Sequence, residues 1–181
     1  YRAGYYRDQT WMFALGIVSL EDYFAQLYAD TENDPFSGGR QMNNHFATPI
    51  VDPQTGRWAN QLEQYNVSSD VSCTAGQMAR ALGFAFASKK YRESKALSQG
   101  TPFSVNGNEV CFSTIGDAST SEGIFWEVIN AAGVLQVPLV ISVWDDGYGI
   151  SVPVEYQTTK GSISAVLSGF EPDENNAGVR I

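Results

Sequence analysis

The segment EVCFSTIGDASTSEGIFWEVINAAGVLQVPLVISVWDDGYGIS, residues 109–151, holds two short apolar runs, and each is followed by acid. Residues 109–115 and 138–144 are rich in Val, Ile and Phe, as strands are. Residues 120–135 between them are long enough for a helix. Strand, helix, strand in that order predicts a βαβ unit with a parallel sheet and a right-handed crossover. Parallel strands bring their C-terminal ends to one edge, and open α/β sheets bind ligands in the crevice along it. Asp117 follows the first run, and Asp145 and Asp146 follow the second. All three carboxylates are therefore expected around one crevice.

The start of the intervening helix adds a second signal. Ser119 and Glu122 have the spacing of a capping box. Asp117, Ala118 and Ser119 would then bring free backbone N–H groups and the positive end of the helix dipole to the same edge, which attracts anions. An anion site beside carboxylates is consistent only if a cation joins them. Magnesium does this, because it usually takes one or two carboxylates and completes its shell with phosphate oxygens and water. Taken singly, each acid has a plainer reading, since Asp commonly caps helices and DDG is a common turn. The matched positions after two strands one βαβ repeat apart favour the site.

The whole chain bounds the answer. Its 181 residues suit one domain with a substantial core, and 43% hydrophobic and 13% aromatic content exclude wholesale disorder. A net charge of −9 argues against a nucleic-acid groove, which would be basic. No apolar run reaches the roughly 18–20 residues of a membrane helix, and no basic-then-apolar leader opens the sequence. Instead YRAGYYRDQTW, residues 1–11, reads like the middle of a domain. Cys73 and Cys111 lack metal spacing and read as reduced thiols of a cytoplasmic protein.

Upstream, DQTWMFALG reads as a short helix. SLEDYFAQLYAD reads as another, capped by Ser19 with Asp22 at the third helical position. Residues 31–69 form a long irregular stretch, more often functional than idle. TAGQMARALGFAFASKKYRES reads as a strong helix with Met78, Ala81, Leu82, Ala85 and Phe86 on its apolar stripe. ALSQGTPFSVNGN reads as a surface loop, and GFEPDENNAGVRI as a loop entering a strand. The helix around Phe125, Trp126 and Ile129 carries apolar groups on more than one face, so partial cover by another chain or domain is expected.

GDASTSEG and WDDGYGIS together resemble the thiamine diphosphate signature, a GDG followed at a distance by NN. More narrowly, they resemble the alpha part of the decarboxylating first component of 2-oxo acid dehydrogenase complexes. YYRD resembles the tyrosine-arginine pair that contacts the diphosphate there, and GGRQMNNHF a loop of branched-chain members. SCTAGQMARALGFAFASKKYR resembles the long helix after the cofactor-binding serine, and STSEGIFWEVINAAGVLQVPLVISVWDDGYGISVPVEYQT matches almost position by position. Nearly the whole chain is covered.

That resemblance implies a doubly wound α/β thiamine diphosphate-binding fold over 1–181, truncated at both ends relative to the family. It implies that Asp117 and Asp146 bind magnesium, with Tyr148 lending its backbone carbonyl. Gly116, Ala118 and Ser119 would meet the diphosphate, Tyr6 and Arg7 would hold it from the opposite side, and Ser72 and Thr74 would contact the aminopyrimidine, Thr74 through its backbone. It implies oxidative decarboxylation of a 2-oxo acid, branched-chain or pyruvate, with the acyl group passed to the lipoyl domain of an acyltransferase component. A beta subunit, or a beta half of the same chain, would supply the activating glutamate, because Glu122 reads as a cap and Glu127 lies on a helix flank. This chain alone is therefore expected to be inactive. In a eukaryote the location would be the mitochondrial matrix.

Three positions depart from the family pattern. Ala118 stands where glycine is usual, and Asp145 and Asp146 replace paired asparagines. The sole histidine, His45, reads as a structural hydrogen-bonder rather than a catalytic acid. No G-x-S-x-G or strand-borne G-x-G-x-x-G points to a hydrolase or a nicotinamide site. A transketolase-like thiamine enzyme and a non-catalytic interaction domain that keeps the fold both remain open.

Overall fold

The computed structural model describes residues 1–159 and 161–181. Its centre is the strand pair expected from the sequence. Strand β2 (Cys111–Gly116) and strand β3 (Leu139–Trp144) pair in parallel, in register from Cys111↔Leu139 to Gly116↔Trp144, so both end at the same level. Glu109 and Val110 fall outside β2. The Glu109 carboxylate instead closes the preceding loop, accepting from the Ser104 hydroxyl at 2.7 Å and from the Val105 N–H.

Strand β1 (Arg2–Ala3) lies parallel on the other side of β2, pairing Arg2↔Phe112 and Ala3↔Ser113. Beyond β1, residues 67–71 run alongside through bridges Arg2↔Val67 and Tyr5↔Val71, also parallel. Four backbones therefore lie side by side in the order 67–71, 1–5, 111–116, 139–144. The sequence reading found only the last two, because a two-residue strand has no alternation to detect.

Helices lie on both faces of this sheet, although β3 is bare on one of them, where Val140 and Trp144 are exposed. Helix α1 spans Gln9–Ala14, α2 Leu20–Leu27, α3 Gln77–Glu93 and α5 Gly123–Leu135. Cys111 and Ile115 point towards α3 and α5: Ala81 and Ala85 pack with Cys111, while Met78, Phe125, Val128 and Ile129 pack with Ile115. Each large side chain buried this way contributes about 1.5–3 kcal/mol. Phe112 and Thr114 face the other way. Phe112 meets Trp11 of α1 with ring centroids 5.6 Å apart, and the Thr114 hydroxyl donates to Asp8. A parallel sheet with helices on both sides is the α/β arrangement expected. Among the described residues no helix is long and apolar enough to cross a membrane.

The α2 cap forms as expected: Asp22 N–H donates to Ser19 Oγ at 3.1 Å, and Ser19 N–H to Asp22 Oδ2 at 3.0 Å. Such a cap is worth about 1 kcal/mol. The Ser119–Glu122 capping box does not form. Thr120 turns both its N–H (3.0 Å) and its hydroxyl (2.5 Å) onto the Asp117 carbonyl, which tightens Ala118–Ser121 into a 3₁₀ turn. Helix α5 starts only at Gly123, and Glu122 caps it without a side-chain bond.

Two other stretches differ from expectation. Residues 96–98, read as the start of a loop, belong with Lys95 to a one-turn helix α4 (Lys95–Ser98). The tail after Phe170 enters no strand; Val179 N–H folds back onto the Phe170 carbonyl at 2.7 Å. Strands β4 (Tyr148–Gly149) and β5 (Val152–Pro153) form a small hairpin after β3, and helix α6 spans Ile163–Leu167. Part of the apolar surface of α5 is met within the chain: Phe125 and Ile129 are buried with Ile163 and Leu167, and the half-buried Trp126 lies 6.3 Å from the Phe170 ring, while Phe125, Ile129 and Ala132 also line an apolar cleft of about 840 Å³.

One buried polar cluster fixes the segments entering the site. The Arg2 guanidinium pairs with Asp8 at 2.5 Å and Asp70 at 3.0 Å, all three nearly out of contact with water. Burial pushes the Asp70 carboxyl up to about 7 despite the opposing pull of Arg2. Asp8 follows Arg7 and Asp70 precedes Val71 and Ser72, so this staple sets where both site segments leave the sheet.

Candidate functional site

Each of the four parallel backbones ends at the same edge, and each end carries part of one cleft of about 570 Å³. After Val71 come Ser72 and Thr74. Tyr5 leads to Tyr6 and Arg7. After Ile115 come Gly116, Asp117, Ala118 and Ser119, and after Trp144 come Asp146 and Tyr148. All ten residues singled out from the sequence line this cleft. The strand order spreads them along it: Ser72 and Thr74 at one side, Tyr6 and Arg7 next, then Asp117, then Asp146. Three strand spacings make that distance about 14 Å.

Asp117 is the most constrained member. It is 2% exposed, and its Oδ2 is buried with no hydrogen-bond partner. Its carboxyl is held above the ordinary carboxylate range, first by burial and then by Asp145 and Asp146. Asp117 N–H donates to the Trp144 carbonyl at 3.2 Å, which ties the two strand ends together and brings the acids close. Asp145 and Asp146 are exposed, and each spends one oxygen on its own turn: Asp145 Oδ1 accepts from Gly147 N–H and Asp146 Oδ1 from Tyr148 N–H, both at 3.0 Å. An orphaned buried carboxylate oxygen facing two more carboxylates has the chemistry of a hard-cation site. Among the described residues no three His, Cys, Asp or Glu side chains form a complete metal cage. A cation here would therefore need further oxygen ligands, as magnesium does.

The neighbouring strand end carries a positive charge. Arg7 is exposed and stacks over the Tyr6 ring with its guanidinium carbon 5.5 Å from the ring centroid. Among the described residues no carboxylate lies within ion-pair distance of it. An unpaired guanidinium in the same cleft as a cation-fitting carboxylate suits a polyanion held by both. Ala118 does not strain the turn, since its φ is negative. Its methyl packs towards the hairpin, where a Cβ on Gly149 would stand only 2.8 Å away.

His45 is a structural hydrogen-bonder, as read, and it stands behind the cleft wall, touching it through Ser72. Its ring is buried, lies nearly parallel to the Tyr6 ring at 6.4 Å, and its Nε2 is 2.5 Å from Ser72 Oγ. Gln26 of α2 clamps its backbone, accepting from His45 N–H at 3.1 Å and donating to its carbonyl at 2.6 Å. Tyr5, Cys73, Gln157 and Ile150 also line the cleft and were missed from the sequence. Tyr5 alone had a signal, as the residue before the Tyr-Arg pair. Asp145 was noticed but given no role, although it acts on Asp117 more strongly than Asp146 does.

The family described as "Dehydrogenase E1 component" matches residues 1–171. The chain belongs to this family. As an E1 component chain it is 30% identical over 166 residues to the 2-oxoisovalerate dehydrogenase subunit alpha of Bacillus subtilis, covering 92% of this chain and 41% of that protein. It is 26% identical over 151 residues to the mitochondrial 2-oxoisovalerate dehydrogenase subunit alpha of Mus musculus, covering 83% and 27%. The pyruvate dehydrogenase E1 component subunit alpha of Bacillus subtilis shares 39% identity over 63 residues, 34% of this chain and 17% of that protein. This E1 chain thus spans less than half the length of these relatives.

Proposed function

We propose that this chain is the diphosphate- and metal-binding alpha part of a 2-oxo acid dehydrogenase first component. The single observation that carries this is Asp117, buried at the matched strand end with an orphan oxygen, in one cleft with two more acids and an unpaired arginine. Asp117 and Asp146 would hold magnesium together with the Tyr148 carbonyl. Arg7 would fork onto the diphosphate, with Tyr6, Gly116, Ala118 and Ser119 lining its bed. Ser72 and Thr74, at the far side, would meet the aminopyrimidine. Thiamine diphosphate, once bound, supplies the nucleophilic carbon and electron sink that let a 2-oxo acid lose carbon dioxide. The chain's own residues bind, orient and balance charge. The activating base would come from a beta subunit. The acyl group of a branched-chain 2-oxo acid or of pyruvate would pass to a lipoyl domain.

The test is a titration of thiamine diphosphate at fixed magnesium into the full-length assembly and two variants. Asp146→Asn should bind as tightly or more tightly, because it removes a negative charge near the diphosphate. At ~4 Å and an effective dielectric near 20 such a pair repels by about 4 kcal/mol before screening, and the exposure of Asp146 reduces this strongly. Asp117→Asn should lose binding. The reverse pattern overturns the assignment of the two carboxylates.

A further inference from the structure

We infer that His45 is a positioning residue: it takes up the Ser72 hydroxyl proton, so that Ser72 presents only lone pairs to the cleft and selects a ligand bearing an N–H or amino group there. His45 Nδ1 lies 3.1 Å from two backbone carbonyl oxygens, those of Met42 and Asn43. Carbonyls only accept, so the ring proton sits on Nδ1. In a neutral imidazole the other nitrogen is then an acceptor. Nε2 is 2.5 Å from Ser72 Oγ, so the hydroxyl donates to it.

A ring turned over would set a carbon, not a nitrogen, against the Met42 and Asn43 carbonyls, so those two bonds fix its orientation. Gln26, 2% exposed, holds the backbone that carries it, bonding to both the His45 N–H and the His45 carbonyl. Ser72 is itself exposed on the cleft wall, and among the described residues its hydroxyl makes no other hydrogen bond. A hydroxyl usually serves as donor or acceptor at will; this one has only acceptor capacity left. A site built around such an acceptor favours the ligand that donates and rejects one that presents another lone pair.

The identity of the ligand rests on the proposed cofactor reading, but the direction of the hydrogen bond does not. The experiment uses the full-length assembly as wild type, Ser72→Ala, His45→Asn and the double variant. Asn keeps a donor for the Met42 and Asn43 carbonyls while removing the acceptor for Ser72, and Ser72→Ala changes an exposed position. Solid-state ¹⁵N spectra of histidine-labelled protein, with the His45 signal assigned by its loss in His45→Asn, should show a proton on Nδ1 and a bare Nε2 whose shift moves in Ser72→Ala. Wild type should bind thiamine diphosphate in preference to its 4′-oxo analogue, in which a carbonyl replaces the amino group. Each single variant should narrow that preference by about tenfold, and the double variant no further. Binding of inorganic diphosphate with magnesium should be unchanged throughout. A proton on Nε2, or a preference that His45→Asn leaves unmoved, overturns the inference. Failure of the wild type to bind either ligand or diphosphate overturns the cofactor reading and the ligand class with it, while the nitrogen spectra still decide the bond.

Discussion

Replacing Asp117 by Asn should have opposite effects without and with a divalent cation. Asp117 is buried with an orphan Oδ2, and its carboxyl is raised first by burial and then by Asp145 and Asp146. An unsatisfied buried polar atom costs about 1–3 kcal/mol, while the repulsion from the two exposed neighbours is weakened by solvent. The folded state holds the Asp117 proton to higher pH than the unfolded state does. Stability therefore falls as pH rises from the ordinary carboxylate pKa through the raised folded one, and the full penalty applies above that window. Asn carries no charge, so the cation-free variant should be about 1 kcal/mol more stable at neutral pH, roughly 2–4 °C in Tm for a chain of this size. Its advantage should shrink on acidification. With magnesium the order reverses. An ion at about 100 times its dissociation constant stabilises the wild type by about 2.7 kcal/mol, or roughly 5–11 °C, and the variant by little. The assay is a set of thermal melts of the full-length protein at neutral and mildly acid pH, in EDTA and in magnesium. A variant less stable than wild type in EDTA, or one that gains as much from magnesium, refutes the reasoning.

Two further outcomes follow from the packing. Because burial raises Asp70 to about 7, urea unfolding should show stability falling as pH climbs from about 4 towards 7 and levelling above it; Asp70→Asn should flatten that part of the profile. A Cβ on Gly149 would press on the Ala118 methyl at 2.8 Å and on the Gln157 amide, so Gly149→Ala should cost about 1–3 kcal/mol and weaken thiamine diphosphate binding by calorimetry, and adding Ala118→Gly should recover part of the loss.

What the sequence revealed and what it hid have physical reasons. The β2–α5–β3 unit was legible because each strand is a continuous apolar run and the helix between is long. The carboxylates were legible because strand ends converge in any parallel sheet. The two backbones that complete the edge were hidden: β1 has two residues, and residues 67–71 pair through isolated bridges, so neither carries a period. The start of α5 was misplaced because Thr120 competes for the Asp117 carbonyl, a local hydrogen bond that the Ser119–Glu122 spacing does not reveal. His45 was given the right kind of role without its partner, since Ser72 lies 27 positions away and only folding brings them together.

The level register of β2 and β3 makes the cleft an inspector of how the chain has folded. Phe112 bonds to the Tyr1 carbonyl, and Ser113 Oγ reaches Ala3 across 110 positions. Such distant closures form late, because chain entropy must be overcome before they gain anything. A slip of one residue between β2 and β3 would part Asp117 from the Trp144 carbonyl and turn each β3 side chain to the wrong face. In a slipped chain Asp117, Asp145 and Asp146 no longer meet. A ligand that requires all four strand ends therefore binds only molecules whose register is right, and withdraws them from the pool of near misses. Its binding should appear with the rate constant of the slowest folding phase, never ahead of it.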